Sequence, residues 1–433
     1  MSPKIACTQP DHQSINTAVA SGPAQLALDI AKAAVGLSDP NPRVGCVITA
    51  ADPAAAWAWG HTQEAGGPHA EVMALRAARE AGLHLQGATA WVTLEPCAHH
   101  GRTPPCCDTL IEAGVARVVV ALRDPNPLVA GQGIARMRAA GLDVQVAGAF
   151  TPAFAREFQA LHAKGLTTSN DAPDQAWARE ALELNIGFFS RMVRQRPWVR
   201  LKIAASLDGQ TALTNGASQW ITAEPARTDG HAWRRRAGAV LTGIGTVRDD
   251  DPRLDVRLVP TAHQPLRVVV DSRLEIAAQA RILQPPGPVL VYIGKGHTAA
   301  ASALCERHPN LQVVEVPADE RGKTDLDAVL ADLATRGVNE LHVEAGHQLN
   351  GSLLKAGLVD ELLVYLAPKM LGAGRSMAAF GPLERLADGL SLEFIECTPV
   401  GPDLRIRARV PGRARLLEER LGHVLAPPPP TMA

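Results

Sequence analysis

Apolar residues recur along this chain in two periods, and the places where one period yields to the other mark its elements. Residues 70–81 carry apolar positions at helical spacing, open after Pro68 and stop at Gly82. Residues 88–94 read instead as a buried strand that halts at Pro96, and residues 107–113, preceded by Pro104 and Pro105 and closed by Gly114, read as a helix. A longer helical run covers 175–193 and stops before Pro197. Beyond it, short apolar runs at 199–201, 239–241, 266–270, 289–292, 311–316, 340–343 and 361–366 predict strands that alternate with helical segments, and 392–395 with 404–410 predict a closing hairpin. That alternation points to an α/β domain with a largely parallel sheet and an antiparallel edge.

The 433 residues exceed what one domain needs, and a hydrophobic content of 46% supplies more than one core. The polar stretch 167–174 breaks the pattern. The expected organisation is a disordered extension over 1–22, a first domain over 23–150, a linker and connecting helix over 151–196, a second domain over 197–412, and a tail over 413–433 that includes Pro427 to Pro430. A net charge of -1 makes no electrostatic case for nucleic acid or an acidic membrane. The first twenty residues lack the apolar core of a signal peptide, and no apolar run reaches the length of a membrane span, so a soluble cytoplasmic protein is expected. Seven cysteines follow no disulfide-like spacing.

Candidate chemistry is densest between the first two helices. His69, Cys97 and Cys106 offer zinc three protein ligands and leave the fourth position to water, whose pKa the metal lowers from 15.7 towards about 7. Glu71 stands two residues from the first ligand as a proton carrier. This set suits hydrolytic removal of an amino group from an aromatic ring carbon. A closed structural zinc site is the plainer alternative; it needs a fourth protein ligand, for which Cys107, His99 and His100 lie nearby. Cys107 directly follows Cys106 and reaches the same metal poorly from a helix start, and a structural site leaves Glu71 without a task. Within a helix, residues i and i+2 point about 160° apart, so His69 and Glu71 can face one metal only if they lie in a first turn. A helix start at Cys106 would also favour its thiolate.

The general deaminase signature has two residues between its cysteines, whereas eight separate Cys97 from Cys106. The string Thr93-Leu-Glu-Pro-Cys97-Ala-His-His-Gly-Arg-Thr-Pro-Pro-Cys106, with Asn41-Pro42-Arg43-Val44-Gly45 upstream, resembles the deaminase half of the bifunctional riboflavin-biosynthesis deaminase/reductase family over most of residues 23–150. The resemblance implies a cytidine-deaminase-like three-layer α/β/α domain, with His69, Cys97 and Cys106 on zinc and Glu71 as the catalytic proton carrier. It also implies a substrate, 2,5-diamino-6-(5-phosphoribosylamino)pyrimidin-4-one, whose ring amine is exchanged for oxygen. Asn41 has two readings, a contact to the pyrimidine edge through its amide or a plain turn residue. His61 reads as a loop histidine, while His99, His100 and Arg102 either face the substrate phosphate or form a solvated loop.

The second half has no GxGxxG or Walker A string. It does have glycine turns where predicted strands end, Thr242-Gly-Ile-Gly-Thr246 and Glu344-Ala-Gly346, whose amides either bind phosphate or simply make turns. The strings Leu201-Lys-Ile-Ala-Ala-Ser-Leu-Asp-Gly209, Ser218-Gln-Trp-Ile-Thr222, Asp250-Asp-Pro252, Val270-Asp-Ser272, Val343-Glu-Ala-Gly346 and Ala367-Pro-Lys369 resemble the reductase half of the same family over about 197–412. The resemblance implies a dihydrofolate-reductase-like α/β fold that binds NADPH and reduces the ribosylamino product to 5-amino-6-(5-phosphoribitylamino)uracil. By the same resemblance, Ala204, Trp220, Thr246, Asp250, Ser272, Gly346, His347, Gln348, Leu349, Asn350, Gly351 and Ser352 contact NADPH, and Ser218, Arg234, Leu254, Arg257 and Glu344 hold substrate. Arg234 and Arg257 would offer guanidinium forks to a phosphate, and Arg273, next to Ser272, is a candidate partner for the cofactor's 2′-phosphate that is left open. The family further implies a dimer or tetramer, with neither nucleic acid nor membrane as partner. The competing readings are a zinc nucleotide deaminase with an inactive reductase-like domain, a polynucleotide deaminase, and a non-catalytic zinc module.

Overall fold

A computed structural model of the chain describes residues 22–52, 56–99, 104–127, 129–147, 173–319 and 321–420. The expected extension, most of the expected linker, the end of the tail, His100 and Arg102 lie outside these residues. Two compact units are present, Met1–Val193 with Leu417–Ala433, and Arg194–Leu416.

The first unit runs α1 (Pro23–Ala31), β1 (Gly45–Thr49), β2 (Trp57–His61), α2 (Ala70–Glu80), β3 (Thr89–Val92), α3 (Cys106–Glu112), β4 (Arg117–Val120), α4 (Gln132–Ala139), β5 (Asp143–Val146) and α5 (Pro173–Arg194). Its sheet has the order β2-β1-β3-β4-β5, with β1 antiparallel to both neighbours and β3, β4 and β5 parallel. Two glycines show how helices cover both faces. A Cβ on Gly45 would lie 1.9 Å from the Ala27 carbonyl oxygen of α1, and one on Gly60 would lie 2.4 Å from Cβ of Met73 in α2. Gly60 stands opposite Cys46, so Gly45 and Gly60 point to opposite faces and α1 and α2 flank the sheet. This is the three-layer α/β/α arrangement expected.

Helix α5, read from sequence as a connection, packs within this first unit. Asn185 accepts from the Arg43 amide (2.7 Å) and donates to the Arg43 carbonyl (2.9 Å), while the buried Arg43 side chain donates to the Leu184 carbonyl (3.0 Å). These bonds satisfy a buried guanidinium and fix the turn that carries Asn41.

The second unit runs β6 (Trp198–Ser206), β7 (Gln210–Leu213), α6 (Glu224–Arg236), β8 (Ala239–Gly243), α7 (Ile244–Asp250), β9 (Leu266–Val270), β10 (Val289–Ile293), α8 (Thr298–Arg307), β11 (Leu311–Glu315), α9 (Leu326–Thr335), β12 (Glu340–Val343), α10 (His347–Lys355), β13 (Glu361–Ala367), β14 (Gly374–Ser376), β15 (Glu393–Val400) and β16 (Asp403–Arg409). Nine strands form one sheet in the order β11-β10-β9-β8-β12-β6-β13-β16-β15. All pairs from β11 to β13 are parallel, and β16 and β15 add the antiparallel edge. Val199, Leu201, Leu241, Val268, Leu341 and Val343 are among the buried residues of the main core.

Strand β6 extends well past the apolar run that predicted it. Its outer part, Lys202 to Ser206, breaks the apolar pattern but is paired on one side by β13 through Ser206 opposite Ala367. The ribbon β7–β14 had no apolar signature to read: its strands hold four and three residues, and Gly374, Arg375 and Ser376 are exposed. Likewise β15 is longer than its predicted hairpin arm and contains Pro399, which an edge strand tolerates. Among the described residues, no helix is long and apolar enough to cross a membrane.

Candidate functional site

His69 is the N-cap of α2, with extended φ/ψ of -76° and 167°, and Glu71 lies in the first helical turn. The mid-helix objection to their sharing a metal therefore does not apply, because His69 is not yet helical. Cys106 is the first residue of α3, and Cys97 follows the exit of β3. The His69 Nδ1 atom lies 3.6 Å from Cys97 Sγ and 3.3 Å from Cys106 Sγ, and all three donors fall within 4.8 Å of one another. Tetrahedral zinc, with bonds of about 2.0–2.3 Å, spaces such donors about 3.5 Å apart, so the trio fits the ion. Cys107 is turned away, its thiol 3.7 Å from the Asp108 carboxylate.

The three donors share protons among themselves, and the thiolate expected at the α3 start falls to Cys97 rather than Cys106, so binding a metal would displace protons from His69 and Cys106. The Cys106 amide donates to Cys97 Sγ at 3.4 Å. The bond between the two thiols, helped by His69, brings Cys97 down to about 4, and the same bond holds the Cys106 thiol up. His69 is raised to about 9, chiefly by its hydrogen bond with Cys97. Glu71 is only 3% exposed, its carboxyl bonds the Cys106 side chain, and burial raises its pKa, so it can hold a proton beside the donors.

The second site lies along the exit edge of the parallel sheet, where open α/β sheets place ligands. Neighbouring strands β8 and β12 lead into α7 and α10, whose N-caps are Gly243 and Gly346. The two turns abut: a Cβ on Gly243 would lie 3.1 Å from Leu349 Cδ2, and one on Gly346 would lie 3.5 Å from Thr246 Oγ1. Thr246 and the 346–352 turn are thus brought together. Gly346, Gln348 and Ser352 are exposed, whereas Asn350 is buried and donates to the Met377 carbonyl (2.8 Å). Gly351 faces the Ala379 carbonyl, 2.4 Å from where a Cβ would be, so it serves packing.

Beside this turn, Arg234 grips Glu344 with both prongs of its guanidinium, and its third nitrogen donates to the Asp255 carbonyl (3.0 Å). Asp255 also pairs Arg257 (2.7 Å). The Arg234 fork expected to meet a phosphate is therefore occupied by Glu344, and of the two arginines Arg257 is the more exposed. Leu254 is buried with φ of 50° and directs the chain between these groups. Ser218 donates to Asp250 (3.4 Å), Trp220 is 62% exposed with Arg227 over its ring at 4.7 Å, and Ala204 stands opposite Tyr365. Ser272 accepts from the Thr324 amide (3.0 Å) just past β9, and Arg273 is exposed beside Glu275.

A family model described as the RibD C-terminal domain matches residues 197–406, and one described as the cytidine and deoxycytidylate deaminase zinc-binding region matches residues 22–122. The riboflavin biosynthesis protein RibD of Escherichia coli is 42% identical over 391 residues, covering 87% of this chain and 96% of that protein. The chain belongs to the RibD family. Its Aquifex aeolicus member is 37% identical over 88% of this chain and 96% of that protein. The solved structure of Acinetobacter baumannii RibD is 36% identical with a TM-score of 0.74, covering 90% of this chain and 98% of that one. A Thermotoga maritima structure titled diaminohydroxyphosphoribosylaminopyrimidine deaminase/5-amino-6-(5-phosphoribosylamino)uracil reductase is 29% identical with a TM-score of 0.73, covering 90% of this chain and 99% of that one. This RibD-family chain is accordingly a bifunctional deaminase/reductase of riboflavin biosynthesis, with a cytidine-deaminase-like first domain and a dihydrofolate-reductase-like second.

Three supporting groups in this RibD-family chain escaped the sequence reading. Glu95 is buried and accepts from the amides of Asp124 (3.2 Å), Gly131 (3.0 Å) and Ile134 (3.1 Å), which ties the segment carrying Cys97 to the start of α4. Asp124, pushed up to about 7 by burial, opens a second Asp-Pro-Asn-Pro string like that at 39–42, and this repetition was the available clue. Lys202 points at Glu344 from 3.9 Å, and burial lowers its pKa; a single lysine in a strand announces nothing in sequence. The backbone N–H of Asn41 donates to the Ser38 carbonyl (2.8 Å), closing its turn, and His61 is bound to its neighbours Thr62 and Gln63.

Proposed function

We propose that this chain deaminates 2,5-diamino-6-(5-phosphoribosylamino)pyrimidin-4-one in its first unit and reduces the ribosylamino product with NADPH in its second. The close His69, Cys97 and Cys106 donors with the protonatable Glu71 behind them carry the first half of this reading. Zinc held by His69, Cys97 and Cys106 would supply the Lewis acidity that makes a water acidic enough to attack the ring carbon. Glu71 accepts the proton that water loses and delivers it to the departing ring amine, and its burial keeps that proton from bulk solvent. Asn41 offers an amide to the pyrimidine edge.

In the second unit, NADPH supplies hydride to the opened sugar. Ala204, Trp220, Thr246, Asp250, Ser272 and the α10 start from Gly346 to Leu349, with Ser352, hold the cofactor, while Asn350 and Gly351 anchor the helix to the Met377–Ala379 segment. Ser218, Leu254, Arg257 and Glu344 hold substrate, and Arg234 holds Glu344 in place. Glu344 and Lys202, 3.9 Å apart at the β12 exit, place a carboxylate and an ammonium next to the reacting group, and Arg257 meets the phosphate. The enzyme works on a small phosphorylated pyrimidine, in the cytoplasm, as a homo-oligomer (a dimer or tetramer), without nucleic acid or membrane. Zinc-loaded protein given the diaminopyrimidine and NADPH should release ammonia and then lose nicotinamide absorbance. Ammonia without NADPH oxidation would leave the alternative, a deaminase with an inactive reductase-like domain.

A further inference from the structure

At the exit edge of the second sheet the strands end at different heights. Val343 of β12 stands opposite Leu201 of β6, so β12 stops where Glu344 meets Lys202, whereas β6 and β13 continue together to Ser206 and Ala367. The two longer strands make a wall beside the short exits. Just beyond its tip, the Asp208 carboxylate accepts from Ser206 Oγ (2.5 Å), the Leu371 amide (3.1 and 3.2 Å) and the Gly372 amide (2.7 Å). The Leu207 amide donates to the Lys369 carbonyl (2.8 Å), and Lys369 Nζ reaches the Trp220 carbonyl at 3.5 Å. Asp208 therefore ties the corner after β13 to the corner after β6.

That corner leads directly into the ribbon β7–β14, whose near end, where Ser376 stands opposite Gln210, continues into a segment pinned to α10. Asn350 Nδ2 donates to the Met377 carbonyl (2.8 Å), and the Ala379 amide donates to the His347 carbonyl (2.8 Å). The corner after β6 and the segment bound to the start of α10 thus meet at the same end of the ribbon. Leu207, Trp220 and Met370 at the wall end are 63%, 62% and 69% exposed, large apolar side chains left open where a planar ring could stack.

We propose that Asp208 is a positioning residue of the reductase: by holding the Leu371 and Gly372 amides it fixes the β7–β14 ribbon and Met370 relative to Lys202 and Glu344, and so sets the distance between hydride donor and acceptor. This rests on the reductase reading above. A carboxylate offers two acceptor oxygens to two amides and a hydroxyl, a set that asparagine meets only in part and alanine not at all. Displacements near 1 Å cost about a hundredfold in rate when reacting atoms must be aligned.

The test uses the full zinc-loaded chain with Asp208→Asn and Asp208→Ala, supplied with the deaminated substrate and, separately, with the diaminopyrimidine. Expected are unchanged ammonia release, a kcat for NADPH oxidation lowered about tenfold or more in Asp208→Ala and less in Asp208→Asn, and a primary deuterium isotope effect from labelled NADPH that rises as kcat falls. Asp319→Ala is the control, since Asp319 clamps a turn of the same unit through the Arg321 (2.9 Å) and Lys323 (2.8 Å) amides and should leave all readouts unchanged. An unchanged kcat and isotope effect in Asp208→Ala overturns the proposal while the reductase stands. Loss confined to thermal stability, equal for Asp208→Ala and Asp319→Ala, also overturns it. Absence of NADPH oxidation in the unsubstituted enzyme overturns the reductase reading and this proposal with it.

Discussion

Arg234 and Glu344 form a two-pronged ion pair at the exit of β12, with Lys202 3.9 Å from the same carboxylate. Burial alone would raise the Glu344 pKa, but Arg234 and Lys202 outweigh it and hold the carboxyl well below its usual range. The pair joins α6 to the sheet, so removing one partner strands a charge. Arg234→Met should cost about 3 kcal/mol in chemical denaturation and abolish NADPH oxidation. Arg234→Met with Glu344→Leu should recover most of the stability and none of the reductase activity. Recovery of both would show the pair to be a mere strut.

His231 should stay neutral well below the ordinary range of histidine. Burial first, then Arg234 and Arg257, lower it from 6.5 to about 4, and its Nδ1 accepts from the Arg257 amide (3.1 Å). A depressed base binds fewer protons folded than unfolded, so its contribution to stability is present above 6.5 and lost as pH falls towards about 4. The urea midpoint of the native enzyme should fall across that window more steeply than that of His231→Gln. A His231 ring resonance titrating near the ordinary value would contradict this.

Glu71→Gln keeps the size and hydrogen-bonding shape of the side chain but cannot carry the proton. Ammonia release should fall by about 10²–10⁴, zinc content should remain one per chain, and NADPH oxidation with the deaminated substrate should be unaffected. Cys106→Ser should instead lose the metal. Retention of full ammonia release in Glu71→Gln would remove Glu71 from its assigned role.

Cys97, proposed as a zinc ligand, is placed from a distance. A Cβ on Gly133 would lie 2.0 Å from the Pro96 carbonyl, and Glu95 ties the same segment to α4 through three amides. Gly133→Ala and Glu95→Gln should each give up zinc at lower chelator concentration than the native chain, with the second unit's melting unchanged. Equal zinc retention in both variants would mean that the α4 contact does not set the ligand geometry.

Local order determined what was legible in the sequence. The helix starts that carry His69 and Cys106 are flanked by prolines and closed by glycines, and those residue types act on their neighbours whatever the rest of the chain does. Apolar runs named most strands of the second unit because strands buried on both faces show themselves by composition. Only the tertiary structure decided where polar groups meet. Glu344 faces Arg234 across 110 positions, Glu95 finds its amides up to 39 positions away, and Asp208 reaches the Leu371 corner across 163. Hydrogen bonds and ion pairs act over a few ångströms in space and leave no period in the sequence, so such partners become visible only once the strands that carry them are paired.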